Sequence, residues 1–115
     1  MVGMERPYGW HNRNKGGAAM RDHLPDRVRK DIVAYAEQYG MEKVILFGSR
    51  ARGTNHERSD IDLAVSGGNL NGFYWAVEED AWTLLSFDVV SLEQAAGTEL
   101  GREIERDGIL IYEKI

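Results

Sequence analysis

The sequence from Phe47 to Val65 reads FGSRARGTNHERSDIDLAV, and it predicts the central part of the fold. It begins at the end of Lys43–Phe47 (KVILF), which is too short for a helix and rich in branched apolar residues, so it predicts a buried strand. Gly48 closes that strand and a short helical turn is expected after it. A polar loop follows, and Asp60–Val65 then alternates polar and apolar residues as a half-buried strand does. The stretch therefore predicts two strands joined by a tight turn, a short helix and a loop.

The remainder of the chain predicts three longer helices and two further strands. The helices are marked by apolar residues at three- and four-residue spacing, and the strands by short runs rich in branched residues. The predicted helices are Pro25–Tyr39, Phe73–Leu85 and Thr98–Asp107, and the predicted strands are Phe87–Ser91 and Ile109–Tyr112. Helices that alternate with strands in this way predict a small single-domain α/β (α+β) fold, with a four-stranded mixed sheet covered by helices.

The domain is expected to occupy residues 20–115, because a chain of 115 residues usually folds as one unit. Residues 1–19 contain four glycines and no hydrophobic period, which predicts a flexible N-terminal arm outside the core. The alternative is that Tyr8 and Trp10 let this arm dock on a partner.

Composition narrows the function classes. No apolar run reaches the roughly 18 residues of a membrane span, and the N-terminus lacks the apolar region of a secretory signal. The sequence has no cysteine, so we expect neither disulfides nor thiolate metal sites, in keeping with a cytoplasmic protein. The net charge of −5 argues against general nucleic-acid binding. The charge is unevenly distributed, because residues 1–58 have a net charge of +4 and residues 59–115 have a net charge of −9.

The turn at Gly48-Ser49 suits a phosphate group. A strand that turns sharply into a helix exposes backbone N–H groups, and glycine lets that backbone approach a ligand closely. Ser49 adds a hydroxyl, and Arg50 and Arg52 are candidate phosphate partners. Taken alone, the same residues are also compatible with an ordinary turn flanked by solvated arginines.

Three aspartates are candidate metal ligands. Asp60 and Asp62 are two residues apart on a predicted strand, so both carboxylates project from one face at roughly 7 Å Cα separation. Like charges at that distance repel unless a cation intervenes, and Mg²⁺ is such a cation. Asp88 lies in an otherwise apolar strand and would join them if the two strands are neighbours. Three such carboxylates form a site for two metal ions, whereas a bare Asp-x-Asp is also found on solvated surface strands.

These residues resemble a known superfamily. Gly48-Ser49, ten intervening residues, Asp60-Ile61-Asp62 and a later Asp88 in an apolar strand are similar to the DNA polymerase β-type nucleotidyltransferases. FGSRARG followed by SDIDLAV, with EIERDGILIYEK near the C-terminus, further resembles the minimal nucleotidyltransferases that act as antitoxins to HEPN-type ribonuclease toxins. The resemblance covers about Pro25 to Glu113.

The resemblance implies a role for each residue. Gly48 and Ser49 would hold the phosphates of a nucleoside triphosphate. Arg50 and Arg52 would also contact the triphosphate. The three aspartates Asp60, Asp62 and Asp88 would bind two Mg²⁺ ions, with Mn²⁺ as an alternative, and would be the catalytic residues. The implied reaction transfers AMP from ATP to a hydroxyl, expected to be a tyrosine on a HEPN-type toxin. The alternatives are a non-catalytic antitoxin that binds the toxin by occlusion, and a transferase acting on an RNA end or a small molecule.

Two tryptophans complete the set of candidates. Trp75 and Trp82 are seven residues apart, which places them on one face of the predicted helix Phe73–Leu85. We expect this pair to pack in the core, although an exposed pair would suit a protein interface. The acidic run Glu78-Glu79-Asp80 is expected to be a solvated face or to meet a basic partner.

Overall fold

The computed structural model describes residues 23–115, so the arm expected at residues 1–19 lies outside the described residues. Four strands and five helices follow one another along the described part of the chain. In order they are α1 (Asp26–Gln38), β1 (Lys43–Phe47), α2 (Ser49–Arg52), β2 (Ile61–Ser66), α3 (Leu70–Asp80), β3 (Phe87–Ser91), α4 (Leu92–Ala95), α5 (Glu99–Asp107) and β4 (Ile109–Glu113). Within residues 23–115, none of the helices has the length and apolarity that crossing a membrane requires.

The four strands form one mixed sheet in the order β3-β2-β1-β4. β1 lies antiparallel to both β2 and β4, whereas β2 and β3 are parallel. A parallel pair needs a crossover connection, and α3 provides it. The α+β class and the four-stranded mixed sheet predicted from the sequence are therefore confirmed.

Each face of the sheet is covered by a different pair of helices. On one face, α1 and α3 pack on alternate residues of β1 and β2, and this larger core includes Ile32, Phe73 and Leu63, none of which is exposed. On the other face, α4 and α5 pack through Ala95 and Ile104 on a smaller cluster. The strand alternation explains the division, since successive side chains of a strand point to opposite faces. Asp62 is thereby assigned to the face of the smaller cluster.

Several element boundaries differ from the sequence prediction, and one short helix was missed. α3 spans Leu70–Asp80 instead of Phe73–Leu85, because consecutive acidic residues at its end disfavour continuation of the helix near the negative end of its dipole. Trp82 therefore lies beyond the helix. α4 was not predicted, and it begins where Ser91 accepts a hydrogen bond from the backbone N–H of Gln94. The strand predicted over Asp60–Val65 begins one residue later, at Ile61.

Candidate active site

The sheet topology brings the predicted site residues to one edge. Because β1 and β2 are antiparallel, the end of β1 lies beside the start of β2, and Phe47 pairs with Asp62. Because β2 and β3 are parallel, their starts also lie together, and Asp62 pairs with Asp88. The Gly48-Ser49 turn, which follows Phe47, is thus next to the strand pair that carries two of the three aspartates. Asp60 precedes β2 at the same edge.

Gly48 is required by the closeness of its backbone to Asp62. Its φ is 75°, in the region that favours glycine, and it is buried at the N-cap position of α2. A Cβ atom built on Gly48 would overlap the Oδ2 atom of Asp62 and would lie 3.1 Å from its Cγ atom. The phosphate-binding turn predicted from the sequence and the Asp62 carboxylate are therefore in direct contact.

Gly48→Ala is expected to lower the free energy of unfolding by about 1–3 kcal/mol from backbone strain, with a further loss from the overlap with Asp62. Gly97→Ala is the matched control, since Gly97 has a φ of 79° and nothing within 4 Å of its built Cβ. Urea denaturation of both variants separates the strain from the overlap. Equal losses for the two variants would show that the contact with Asp62 costs nothing.

Asp62 lies in an environment that disfavours its charge. Burial, followed by the negative charges of Asp88, Asp60 and Glu103, raises the pKa of Asp62 to about 6, with Arg52 acting in the opposite direction. Asp60 and Asp88 themselves are exposed. Asp88 and Asp60 are therefore close enough to Asp62 to disfavour its charged form.

The donor set fits a hard divalent cation. Mg²⁺ is bound through one or two carboxylates together with phosphate oxygens and water, and Asp62 with its two neighbours offers oxygen ligands only. In residues 23–115, no three His, Asp or Glu side chains form a complete ligand cluster by themselves. The negative charges of Asp88 and Asp60 add to the effect of burial in raising the pKa of Asp62. A divalent cation would offset these negative charges.

Arg50 is buried, with 4% of its surface exposed. Its guanidinium donates hydrogen bonds to four backbone carbonyls, namely His23 O at 2.8 Å, His56 O at 3.4 Å, Glu57 O at 3.0 Å and Ser59 O at 3.1 Å. Ser59 directly precedes Asp60, so this side chain ties the turn after β1 to the loop that positions the first aspartate. The sequence predicted a phosphate contact for Arg50, which stays a prediction. The geometry gives it a positioning role that sequence reasoning missed.

Arg52 lies on the other side of the same short helix. Its Nη1 atom is 3.2 Å from Glu103 Oε2 and 3.7 Å from Asp107 Oδ2, and its side chain is 41% exposed. These contacts join α2 to α5 beside Asp62. Arg52 has an exposed guanidinium near the site, as a phosphate partner requires, and that predicted role is also untested. Glu103 was not predicted as a site residue, since nothing in the sequence distinguishes it from other acids of an amphipathic helix.

The family described as Polymerase beta, Nucleotidyltransferase matches residues 30–115, and the chain belongs to that family. No curated protein matches the chain significantly.

The chain is also similar to chains of solved toxin–antitoxin structures. A chain of "the toxin-antitoxin with AMP-PNP" is 26% identical, with a TM-score of 0.58, and the match covers 75% of this chain and 73% of that one. A variant of the toxin–antitoxin MntA–HpeT is 24% identical, with a TM-score of 0.57, over 79% of this chain and 74% of that one. The sequence resemblance to nucleotidyltransferases of toxin–antitoxin systems is thereby confirmed.

Proposed function

We propose that this protein is a metal-dependent nucleotidyltransferase that transfers AMP from ATP to a tyrosine hydroxyl of a HEPN-type toxin and thereby acts as its antitoxin. The observation that carries the proposal is the contact between the Gly48-Ser49 turn and Asp62, with Asp88 paired beside it on the neighbouring strand. Phosphate-binding backbone and metal-binding carboxylates at one edge are the two parts that phosphoryl transfer needs.

Each residue has a role in the proposed reaction. Gly48 and Ser49 hold the β- and γ-phosphates, so the α-phosphorus is presented to the carboxylates. The acceptor oxygen forms a bond to this phosphorus, the bond from the phosphorus to the bridging oxygen of the β-phosphate breaks, and pyrophosphate leaves. The hydroxyl proton passes to solvent. Positioning and electrostatic stabilisation supply most of the catalysis in such transfers.

Asp60, Asp62 and Asp88 would hold two divalent cations, which we propose to be Mg²⁺ or Mn²⁺. When bound, these ions would neutralise the phosphate charge and lower the pKa of the acceptor hydroxyl. The hard oxygen donors support this choice, as do the burial and the neighbouring negative charges that raise the pKa of Asp62.

The proposed acceptor is a folded protein. Residues 23–115 form one small sheet with its helices. A folded protein would present its own hydroxyl to such a site. The structural likeness to toxin–antitoxin chains, one of them with AMP-PNP, supports a toxin as acceptor and ATP as donor. ATP as the donor also fits the cytoplasmic location expected from the lack of cysteine.

The test is a transfer assay with a HEPN-type partner protein, ATP and Mg²⁺. Intact-mass measurement of the partner is expected to show the addition of one AMP unit, and peptide mapping is expected to place it on tyrosine. An ATP analogue with a non-cleavable bond between the α- and β-phosphates serves as the control. A partner that binds and is silenced without gaining mass would contradict the enzymatic function and indicate occlusion.

Ser49→Ala is expected to raise the KM for ATP by about tenfold with a smaller change in kcat, because it removes one of several contacts to the phosphates. Ser66→Ala, at the opposite end of β2, is the matched control. Steady-state kinetics over a range of ATP concentrations give both constants. A loss confined to kcat would mean that Ser49 acts on the transition state and not on ground-state binding.

A further inference from the structure

Three large apolar side chains are exposed close together in the chain. Trp75 on α3 is 58% exposed, while Trp82 and Leu84 in the segment between α3 and β3 are 67% and 103% exposed. The expectation that the two tryptophans pack in the core is therefore wrong, because α3 ends before Trp82. Among residues 23–115, the remaining large exposed apolar side chain is Ile115, at the C-terminus. Exposed apolar groups concentrated in this way indicate an interaction site. We call these three residues the tryptophan surface.

Trp82 is held in its exposed position by α1. Its backbone N–H donates to Asp31 Oδ2 at 2.7 Å, and the Arg27 guanidinium lies 5.0 Å from the centre of its ring. Arg27 Nε is also 3.6 Å from Asp31 Oδ1. The aromatic ring is thus preorganised on the surface, so binding a partner would cost little side-chain entropy.

The tryptophan surface adjoins the candidate active site. The backbone N–H of Phe87 donates to Glu78 Oε2 at 3.3 Å, which fixes the last turn of α3 beside the residue that precedes Asp88. The backbone N–H of Ile61 donates to Ser86 O at 2.9 Å, which ties the segment carrying Trp82 and Leu84 to the start of β2. The tryptophan surface therefore lies at the same end of the sheet as the aspartates, although the carboxylates of Asp62 and Asp88 point to the other face. A protein seated on this surface would have to reach around the starts of β2 and β3 to meet them.

The charge around the surface selects a basic partner. The last turn of α3 contains Glu78, Glu79 and Asp80 and no basic residue. Negative charge at the C-terminal end of a helix opposes its dipole, so this arrangement destabilises α3. Glu79 follows Trp75 by four residues and therefore lies on the same side of the helix. Lys or Arg side chains of a partner would offset the unfavourable charge.

We propose that the tryptophan surface is the docking site for the protein that carries the acceptor hydroxyl, and that this partner contributes an apolar contact flanked by Lys or Arg. The inference rests on the proposed function for the identity of the partner. It goes further in assigning which face of the chain meets that partner. Docking here places the partner at the end of the sheet where β2 and β3 begin, so a segment that extends around this end could bring the acceptor to Asp62 and Asp88.

The experiment measures binding of the full chain to a purified HEPN-type partner by calorimetry. Trp75→Ala and Trp82→Ala are each expected to weaken binding by about ten- to a hundredfold, since buried aromatic anchors dominate interfaces. Glu79→Lys is expected to weaken binding while raising the Tm of the free chain, because it relieves the helix dipole. Glu37→Lys is the matched charge reversal, in the last turn of α1 at the opposite end of the sheet, and is expected to bind as the wild type does. Each variant is expected to bind Mg-ATP with the affinity of the wild type, as measured by titration.

Several results would overturn the assignment. They are wild-type affinity in both tryptophan variants, an equal loss in Glu37→Lys, or a wild-type chain that does not bind the partner. Self-association of the wild type that Trp75→Ala abolishes would show instead that a second copy occupies this surface. If binding depends on the tryptophans but the partner gains no AMP, the docking site stands and the proposed enzymatic activity fails.

Discussion

Asp62→Asn is expected to lower the rate of AMP transfer by at least about a hundredfold, because it removes a carboxylate that acts where charge develops in the transition state. Asp62 contacts the Gly48 turn and pairs with Asp88, so it is the carboxylate closest to the expected position of the phosphates. The measurement is the initial rate of mass gain by the partner. Transfer at near the wild-type rate would show that these aspartates are not the metal site.

The same substitution is expected to have the opposite effect on the metal-free fold. The pKa of Asp62 is raised from 3.8 to about 6 in the folded protein, so the native state binds this proton more tightly than the unfolded chain does. The stability that comes from this proton is present at low pH and is lost as the pH rises from about 4 through 6. Asparagine does not titrate. Asp62→Asn should therefore be more stable than the wild type above pH 6 by about 1–2 kcal/mol, after allowance for solvent screening.

Urea denaturation in EDTA between pH 4 and pH 8 tests this pH dependence. The stability gained by Asp62→Asn is expected to grow from nearly zero at pH 4 to a plateau above pH 6. Glu105→Gln, at an exposed position on α5, serves as the control and is expected to follow the wild type. Parallel curves for Asp62→Asn and the wild type would show that the neighbouring carboxylates do not destabilise the fold.

Local sequence patterns were enough to predict the strands at the end of the sheet where the candidate active site lies. The alternation that starts at Asp60 fixes which side chains of β2 share a face, and the short apolar runs fix the strands. Pairing of Asp62 with Asp88 required only that β2 and β3 be neighbours, and the structure confirms that they are. The apolar residues of β1 and β2 lie in the core for the same reason.

The features that the sequence did not predict depend on tertiary contacts. The end of α3 at Asp80 exposes Trp82, whose position is set by Asp31, 51 residues away. Arg50 and Arg52 are equivalent in the sequence, since both are arginines flanking Ala51 in one short turn. Only the folded chain shows that one faces the loop carbonyls and the other faces α5.

Arg50→Met is expected to lower the free energy of unfolding by roughly 3 kcal/mol, because it removes four hydrogen bonds from a buried guanidinium to partly buried carbonyl groups. The lost hydrogen bonds include those to Glu57 O and Ser59 O, so the loop before Asp60 should loosen. Arg50→Lys is not expected to restore stability, since a single ammonium cannot span four carbonyls as a planar guanidinium does. Arg52→Met is the matched control two residues away. It should cost less than about 1 kcal/mol, because its partners Glu103 and Asp107 form a solvent-screened ion pair with it.

Amide hydrogen exchange and steady-state kinetics distinguish a positioning role of Arg50 from a role in phosphate binding. For Arg50→Met we expect faster amide exchange in residues 53–59 and a fall in kcat larger than the change in KM for ATP, because a displaced Asp60 affects the reacting centre more than it affects the phosphates. Arg52→Met should leave amide exchange in that loop unchanged. If Arg50→Met instead raises the KM for ATP and leaves both stability and exchange intact, its guanidinium must leave the loop carbonyls to reach the phosphates. The contact predicted from the sequence would then be the correct one, and the loop before Asp60 would be held by its own turn hydrogen bonds, such as the one from His56 N to Ser59 Oγ at 2.8 Å.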